Sequence, residues 1–148
     1  MSKQSFPDFG PWLTYAEAIR SDTARRKGIA NVPTAAQYAR MKAVYDNIYA
    51  PLCKRFGKLP VSSFFRCAEL NKAVGGSKTS QHMVGAAIDI DCDGIKVIGN
   101  KALHAYIKAN MSFDQLGLEY PDANGNPGWV HVSFVSLVEN RKALFTAT

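Results

Sequence analysis

Ser80-Gln81-His82-Met83-Val84-Gly85-Ala86-Ala87-Ile88-Asp89-Ile90-Asp91 is the stretch on which the fold turns. It sets an imidazole and a carboxylate seven residues apart. On one α-helix that spacing is two turns, roughly 10 Å. Two donors that share one metal ion at ~2 Å each stand only a few ångströms apart, so the helix is the wrong reading. Gly85 and the alternation that follows it favour a loop leading into a strand over Ala86 to Asp91. In that strand Ile88 and Ile90 face the core and Asp89 and Asp91 face the other way. A turn at Gly85 then folds His82 back over Asp89.

Trp129-Val130-His131-Val132-Ser133-Phe134 follows the same logic. Val130, Val132 and Phe134 point to one face, and Trp129, His131 and Ser133 to the other. His82, Asp89 and His131 together form a ligand set that suits zinc. Three protein ligands leave the fourth tetrahedral position open for water, as in a working rather than a structural site. The expected cofactor is therefore one Zn2+ ion with a water in the open position. Just upstream, Leu116 and Leu118 face one way and Gly117 and Glu119 the other. Glu119 and His131 are expected on neighbouring strands of one hairpin, joined by the turn-rich loop from Pro121 to Gly128. A carboxylate there is placed to act as general base.

Outward from these strands the chain reads as helices first and strands later. Thr14 caps a short helix to about Arg20, with Glu17 completing a capping box. Ser21 or Asp22 opens another turn ending near Gly28. From Thr34 to about Phe56, Tyr38, Met41, Val44, Tyr45, Ile48 and Leu52 keep helical spacing, with a kink or break expected at Pro51. Leu59 to Phe65 reads as a strand, Arg66 to Val74 as a short helix, Asn100 to Asn110 as a helix, and Phe113 to Tyr120 as a strand. Asp91 and Asp93 read as turn formers beside Gly94, and His104 as a surface histidine. Residues 135–148 receive no element. The predicted class is α+β, with N-terminal helices packed on a small antiparallel sheet that carries the zinc site.

Composition bounds the function. At 148 residues, 47% of them hydrophobic, the chain is expected to form a single domain, 1–148, as a monomer. It contains no apolar run near the ~20 residues of a membrane helix. The N-terminus lacks an apolar signal region, so the protein is expected to be cytoplasmic as synthesised. The net charge of +6 favours a polyanionic partner. The basic residues Arg20, Arg25, Arg26, Lys27, Arg40 and Lys42 are spread along helical stretches, and no nucleic-acid-binding motif accompanies them, so no nucleic acid is expected. Cys53, Cys67 and Cys92 make no Cys-x-x-Cys pair and read as reduced thiols.

Ser80-x-His82-x-x-Gly85-x-Ala87-x-Asp89, followed by Trp129-x-His131, resembles the zinc D-Ala-D-Ala carboxypeptidase family, which includes D,D-dipeptidases and L-alanyl-D-glutamate endolysins. Phe64-Phe65-Arg66-Cys67-Ala68-Glu69-Leu70-Asn71-Lys72-Ala73-Val74-Gly75-Gly76 is similar to the arginine-bearing stretch before that family's first ligand. Ser21-Asp22-Thr23-Ala24, Gly28-Ile29-Ala30-Asn31 and Thr34 look like the helical lead-in of one compact subgroup. The resemblance spans residues 12 to 135 and implies the Hedgehog/DD-peptidase fold.

It also implies roles. His82, Asp89 and His131 bind zinc, Glu119 is the catalytic acid–base, Arg66 steadies the substrate, and Ser80 lies in the substrate cleft with Trp129. Many relatives place the base a few residues before the last histidine, where this chain has Pro127-Gly128. Glu119 is thus the expected base and Asp122 the reserve. The implied activity is a zinc metallopeptidase of D,D-carboxypeptidase or endopeptidase type, acting on peptidoglycan stem peptides or cross-links. A phage-type endolysin that reaches the wall or periplasm after release fits this. The alternative is a metal-bearing wall-binding or virion structural protein without turnover.

Overall fold

The computed structural model describes residues 5–95 and 97–147. Its helical half begins where capping chemistry is strongest. Thr14 closes a capping box with Glu17 on helix α1 (Tyr15–Ile19). Ser21 caps α2 (Asp22–Lys27), which ends on Gly28 in the left-handed region. Thr34 and Gln37 close a second box on α3 (Ala35–Val44).

Pro51 does not break the long helix. Between α3 and α4 (Ala50–Phe56) the chain widens into a π turn, Tyr45–Tyr49, and the Ala50 N–H reaches the Tyr45 carbonyl. Proline has no N–H to donate and its ring crowds the preceding turn. The wider turn just upstream accommodates both defects and keeps the helix continuous. Met41, Val44, Ile48 and Leu52 therefore stay on one fully buried stripe.

The remaining elements are β1 (Val61–Ser63), α5 (Ala68–Ala73), a 3-10 turn (Gln81–Val84), β2 (Ala87–Ile90), α6 (Asn100–Asn110), β3 (Gln115–Glu119), β4 (Trp129–Ser133) and β5 (Ala143–Ala147). The five strands are ordered β1-β2-β4-β3-β5. The first four are antiparallel, as predicted. The fifth differs from the expected all-antiparallel sheet. β5 lies parallel to β3, from Gln115 opposite Ala143 to Glu119 opposite Ala147, so the sheet is mixed. Residues 134–142 carry the chain from the end of β4 past the start of β3 to β5 on its far side.

One sheet face is apolar and packs on the helices. Ile88, Ile90, Leu116, Val130 and Val132 join Leu13, Met41, Ile48, Leu103 and Ile107 in a continuous core. The opposite face carries Asp89, Gln115, Glu119, Trp129 and His131 and opens into a cleft. Among the described residues no helix is long and apolar enough to cross a membrane.

Candidate metal centre

Register places the first two ligand types side by side. Asp89 on β2 is directly opposite His131 on β4, and cross-strand partners stand about 5 Å apart at their Cβ atoms. His82 arrives from outside the sheet, on the 3-10 turn. That turn is capped by the Ser80 side chain, and it ends at Gly85 with φ +82°. A side chain at Gly85 would be strained by that φ and would also press on the Gln37 carbonyl of α3. The turn predicted at Gly85 thus exists, as a helical turn rather than an open loop.

The three side chains meet. His82 is 1%, Asp89 7% and His131 8% exposed, and their donor atoms all lie within 4.8 Å of one another. Asp89 divides its carboxylate. Oδ1 is 3.0 Å from His131 Nδ1, and Oδ2 is 3.2 Å from His82 Nε2, the latter outside hydrogen-bond alignment. Burial opposes the charged form of Asp89, but the two imidazoles, His82 foremost, hold its carboxyl well below the usual carboxylate range.

His82 Nδ1 lies 2.7 Å from the Phe64 carbonyl. A carbonyl only accepts, so Nδ1 carries the proton and a neutral imidazole leaves its Nε2 lone pair free. That is the supporting bond typical of a metal-binding histidine.

The donor set passes a further test. Five buried side-chain polar atoms lack a hydrogen-bond partner among the described residues, and four belong to residues lining this cleft: Arg66 Nε, Gln81 Oε1, His82 Nε2 and His131 Nε2. Buried polar groups are costly when unpaired. Two buried imidazoles, each with an orphaned Nε2, grouped with a buried carboxylate so that donor atoms lie within 4.8 Å fit a divalent cation with nitrogen and oxygen ligands, zinc among them.

The remaining predicted residues line the same cleft of about 840 Å³. Glu119 sits opposite Trp129, two pairs beyond the Gly117–His131 pair and on the same sheet face. Burial raises its carboxyl above the ordinary value, against the pull of His131. The Arg66 N–H donates to the His82 carbonyl, and its Nη2 donates to Ser80 Oγ at 3.3 Å. Burial lowers the guanidinium's pKa while Asp89 and Glu119 raise it, and the group stays charged at any ordinary pH. Ser80 Oγ also accepts the His82 N–H, so this serine shapes the ligand turn. Trp129 packs on Tyr120, with ring centroids 5.2 Å apart.

Asp122, the reserve base, is exposed and spends its carboxylate on the Asn124 and Asn126 N–H groups of its own turn. Asp91 likewise accepts the Asp93 N–H, as a turn former. His104 is half-buried on α6 and does not line the cleft. Cys53 and Cys92 are buried, and burial pushes the Cys92 thiol up to about 12, which argues against a thiolate nucleophile.

The sequence reading names neither Phe145 nor Arg141, and both line the cleft. Phe145, from β5, lies over Gly117, where any Cβ would strike its ring. The same ring packs edge-on against His131 at 5.4 Å. A glycine inside a strand pattern often marks such a close approach, so Gly117 was the available signal. Nothing local announced its partner.

No match is found among curated proteins. A solved structure of a point mutant of the vancomycin-resistance D,D-pentapeptidase VanY, from a VanB-type resistance cassette and in complex with Zn(II), is similar over 74% of this chain and 76% of its own, at 19% identity and a TM-score of 0.39. The sequence profile described as Peptidase M15 matches residues 11–133, a span that runs from the helical lead-in through Arg66, His82, Asp89 and Glu119 to His131. By that match over most of its length, the chain belongs to the peptidase M15 family.

Proposed function

We propose that this protein is a zinc-dependent peptidase that hydrolyses peptide bonds in peptidoglycan stem peptides or cross-links, with His82, Asp89 and His131 as the zinc ligands. The observation that carries the reading is the buried cluster on the cleft floor, in which the Asp89 carboxylate lies between His131 Nδ1 at 3.0 Å and the otherwise unpartnered His82 Nε2 at 3.2 Å. Family membership supports the reaction class. A zinc ion in such a set supplies Lewis acidity, polarising a carbonyl and lowering the pKa of a water to roughly 7.

The chain's own residues do the rest. Glu119, raised by burial, accepts a proton from the attacking water and delivers it to the leaving amine. Arg66, held by Ser80, donates to the substrate carbonyl oxygen as negative charge develops there. Trp129 and Ser80 contribute to the walls against which the peptide lies. The net charge of +6 favours approach to an anionic wall, as a phage-type endolysin requires.

The test is digestion of purified peptidoglycan by zinc-loaded protein, with mass spectrometry of the products. New amino termini at one defined bond type are expected. Glu119→Ala should cut the rate by roughly 10²–10⁴-fold while zinc stoichiometry stays at one. Release of no new termini from any wall type by the zinc-loaded wild type would favour a metal-bearing binding protein instead.

A further inference from the structure

Beside the metal centre the cleft contains a second polar assembly that the hydrolytic chemistry does not use. Asp114 precedes β3 and is 2% exposed. It accepts from Arg141 Nε at 2.9 Å, Arg141 Nη2 at 2.8 Å and the Arg141 backbone N–H at 3.0 Å. Its Oδ2 also accepts from Gln81 Nε2 at 2.9 Å. A carboxylate only accepts, so this contact fixes the Gln81 amide orientation. Gln81 Oε1 is then a buried acceptor with no partner.

Arg141 lines the cleft with its side chain 60% exposed. Two of its donors are spent on Asp114, and Nη1 has no hydrogen bond among the described residues. A cationic donor and a lone acceptor therefore flank one end of the cleft, both locked in place by the same buried aspartate. A purely structural clamp has no need to leave a buried acceptor open. A substrate carboxylate pairs with the exposed Arg141 guanidinium, which Asp114 orients and Gln81 braces from behind. This end lies three strand positions from the Gly117–His131 pair, or about 10 Å along β3, within about three residues of extended peptide.

Resting on the peptidase reading above, we propose that Gln81, Asp114 and Arg141 form an acidic-residue subsite. Arg141 is its specificity determinant for a substrate carboxylate within about three residues of the scissile bond, and Asp114 is a positioning residue. The Asp114 fork fixes the guanidinium plane before substrate arrives, so little side-chain freedom is lost on binding.

The test compares two synthetic stem peptides, one with its internal glutamate carboxylate free and one with it amidated. Their dissociation constants are measured by calorimetry on zinc-loaded Glu119→Gln protein, which binds without turnover. The free acid should bind about tenfold more tightly, as one charge-assisted contact provides, and the difference should shrink as salt rises. Arg141→Gln in the same background should abolish the difference. Arg141→Lys, which keeps the charge beside Asp114, should retain part of it and guards against misfolding of the first variant. On active protein, Arg141→Lys should raise KM for the free acid while leaving kcat unchanged. Equal affinity for both peptides in Glu119→Gln protein that retains Arg141, or no measurable binding of either to it, overturns the proposal. So does an equal loss for both peptides in the variants, the mark of a clamp alone. Because binding is read without turnover, failure of the wild type to cleave either peptide overturns the peptidase reading separately.

Discussion

β2 and β5 both border the cleft, and they do so by different means. β2 is an inner strand whose four residues are all buried, and it contributes Asp89. β5 is the outer strand, alternately half-buried and exposed, and it contributes Phe145, with Arg141 just before its start. The role proposed for β2 is written in ten consecutive residues, because a metal demands particular donor atoms at a particular register. The role of β5 arises only once it pairs with β3, because Phe145 needs nothing more than a shape that fills the space over Gly117. Ligands are specified chemically and supports sterically, so the first are visible locally and the second are not.

Substitutions on the two strands separate these roles, and the largest effect belongs to β2. Asp89→Asn should reduce bound zinc from one equivalent to near none, read by metal analysis after dialysis. Peptidase activity should fall by more than the roughly 10–100-fold typical of a supporting partner. If zinc stays bound at one equivalent, Asp89 is not a ligand and the contrast between the strands collapses. Phe145→Ala should act more mildly. It removes a half-buried ring, so the loss of stability is expected at about 2 kcal/mol, below the range for fully buried phenylalanines. Zinc affinity should weaken by up to about tenfold through the freed His131, and competition with a chelator would measure it. An unchanged affinity would reduce β5 to a plain edge strand.

The smallest effect concerns the clamp at the entry to β5. Arg141 holds the Asp114 carboxyl at about 2, below its ordinary 3.8. A depressed carboxyl stabilises the fold above its unfolded pKa, and that contribution disappears as pH falls through the folded value. Stability from this pair should therefore be complete above about pH 4 and lost towards pH 2. The contribution is small because Arg141 is solvent-exposed and water screens the pair. Urea midpoints of the wild type should fall more steeply over that window than those of Asp114→Asn. Parallel curves would show that the clamp adds nothing to stability.

Much of the fold was legible because its signals are local. The Thr14–Glu17 capping box, the Met41-to-Leu52 stripe and the alternation in β2 and β4 each declare themselves within a dozen residues. The Glu119 hairpin followed from two strands and a turn-rich loop. Two features escaped. Pro51 reads in the sequence as a kink or a break, but a π turn absorbs it and the helix continues, since the buried stripe favours continuity over ideal geometry. β5 escaped because Ala143-Leu144-Phe145-Thr146-Ala147 has no clean apolar alternation, and a parallel edge strand lacks the hairpin turn that marks an antiparallel one.

By itself, then, the sequence determined the α+β class, the choice of His82, Asp89 and His131 as candidate donors, and the hairpin that sets Glu119 and His131 on neighbouring strands. Those depend on residue chemistry and on spacings of a few residues. The tertiary structure alone decided that His82 Nε2 and His131 Nδ1 meet on the two oxygens of one carboxylate, that Phe145 seats His131 across Gly117, and that Asp114 joins Gln81 to Arg141. Apart from the seven-residue step from His82 to Asp89, these join residues 14 to 60 positions apart in the chain, and contacts over such separations depend on how elements pack rather than on any local pattern.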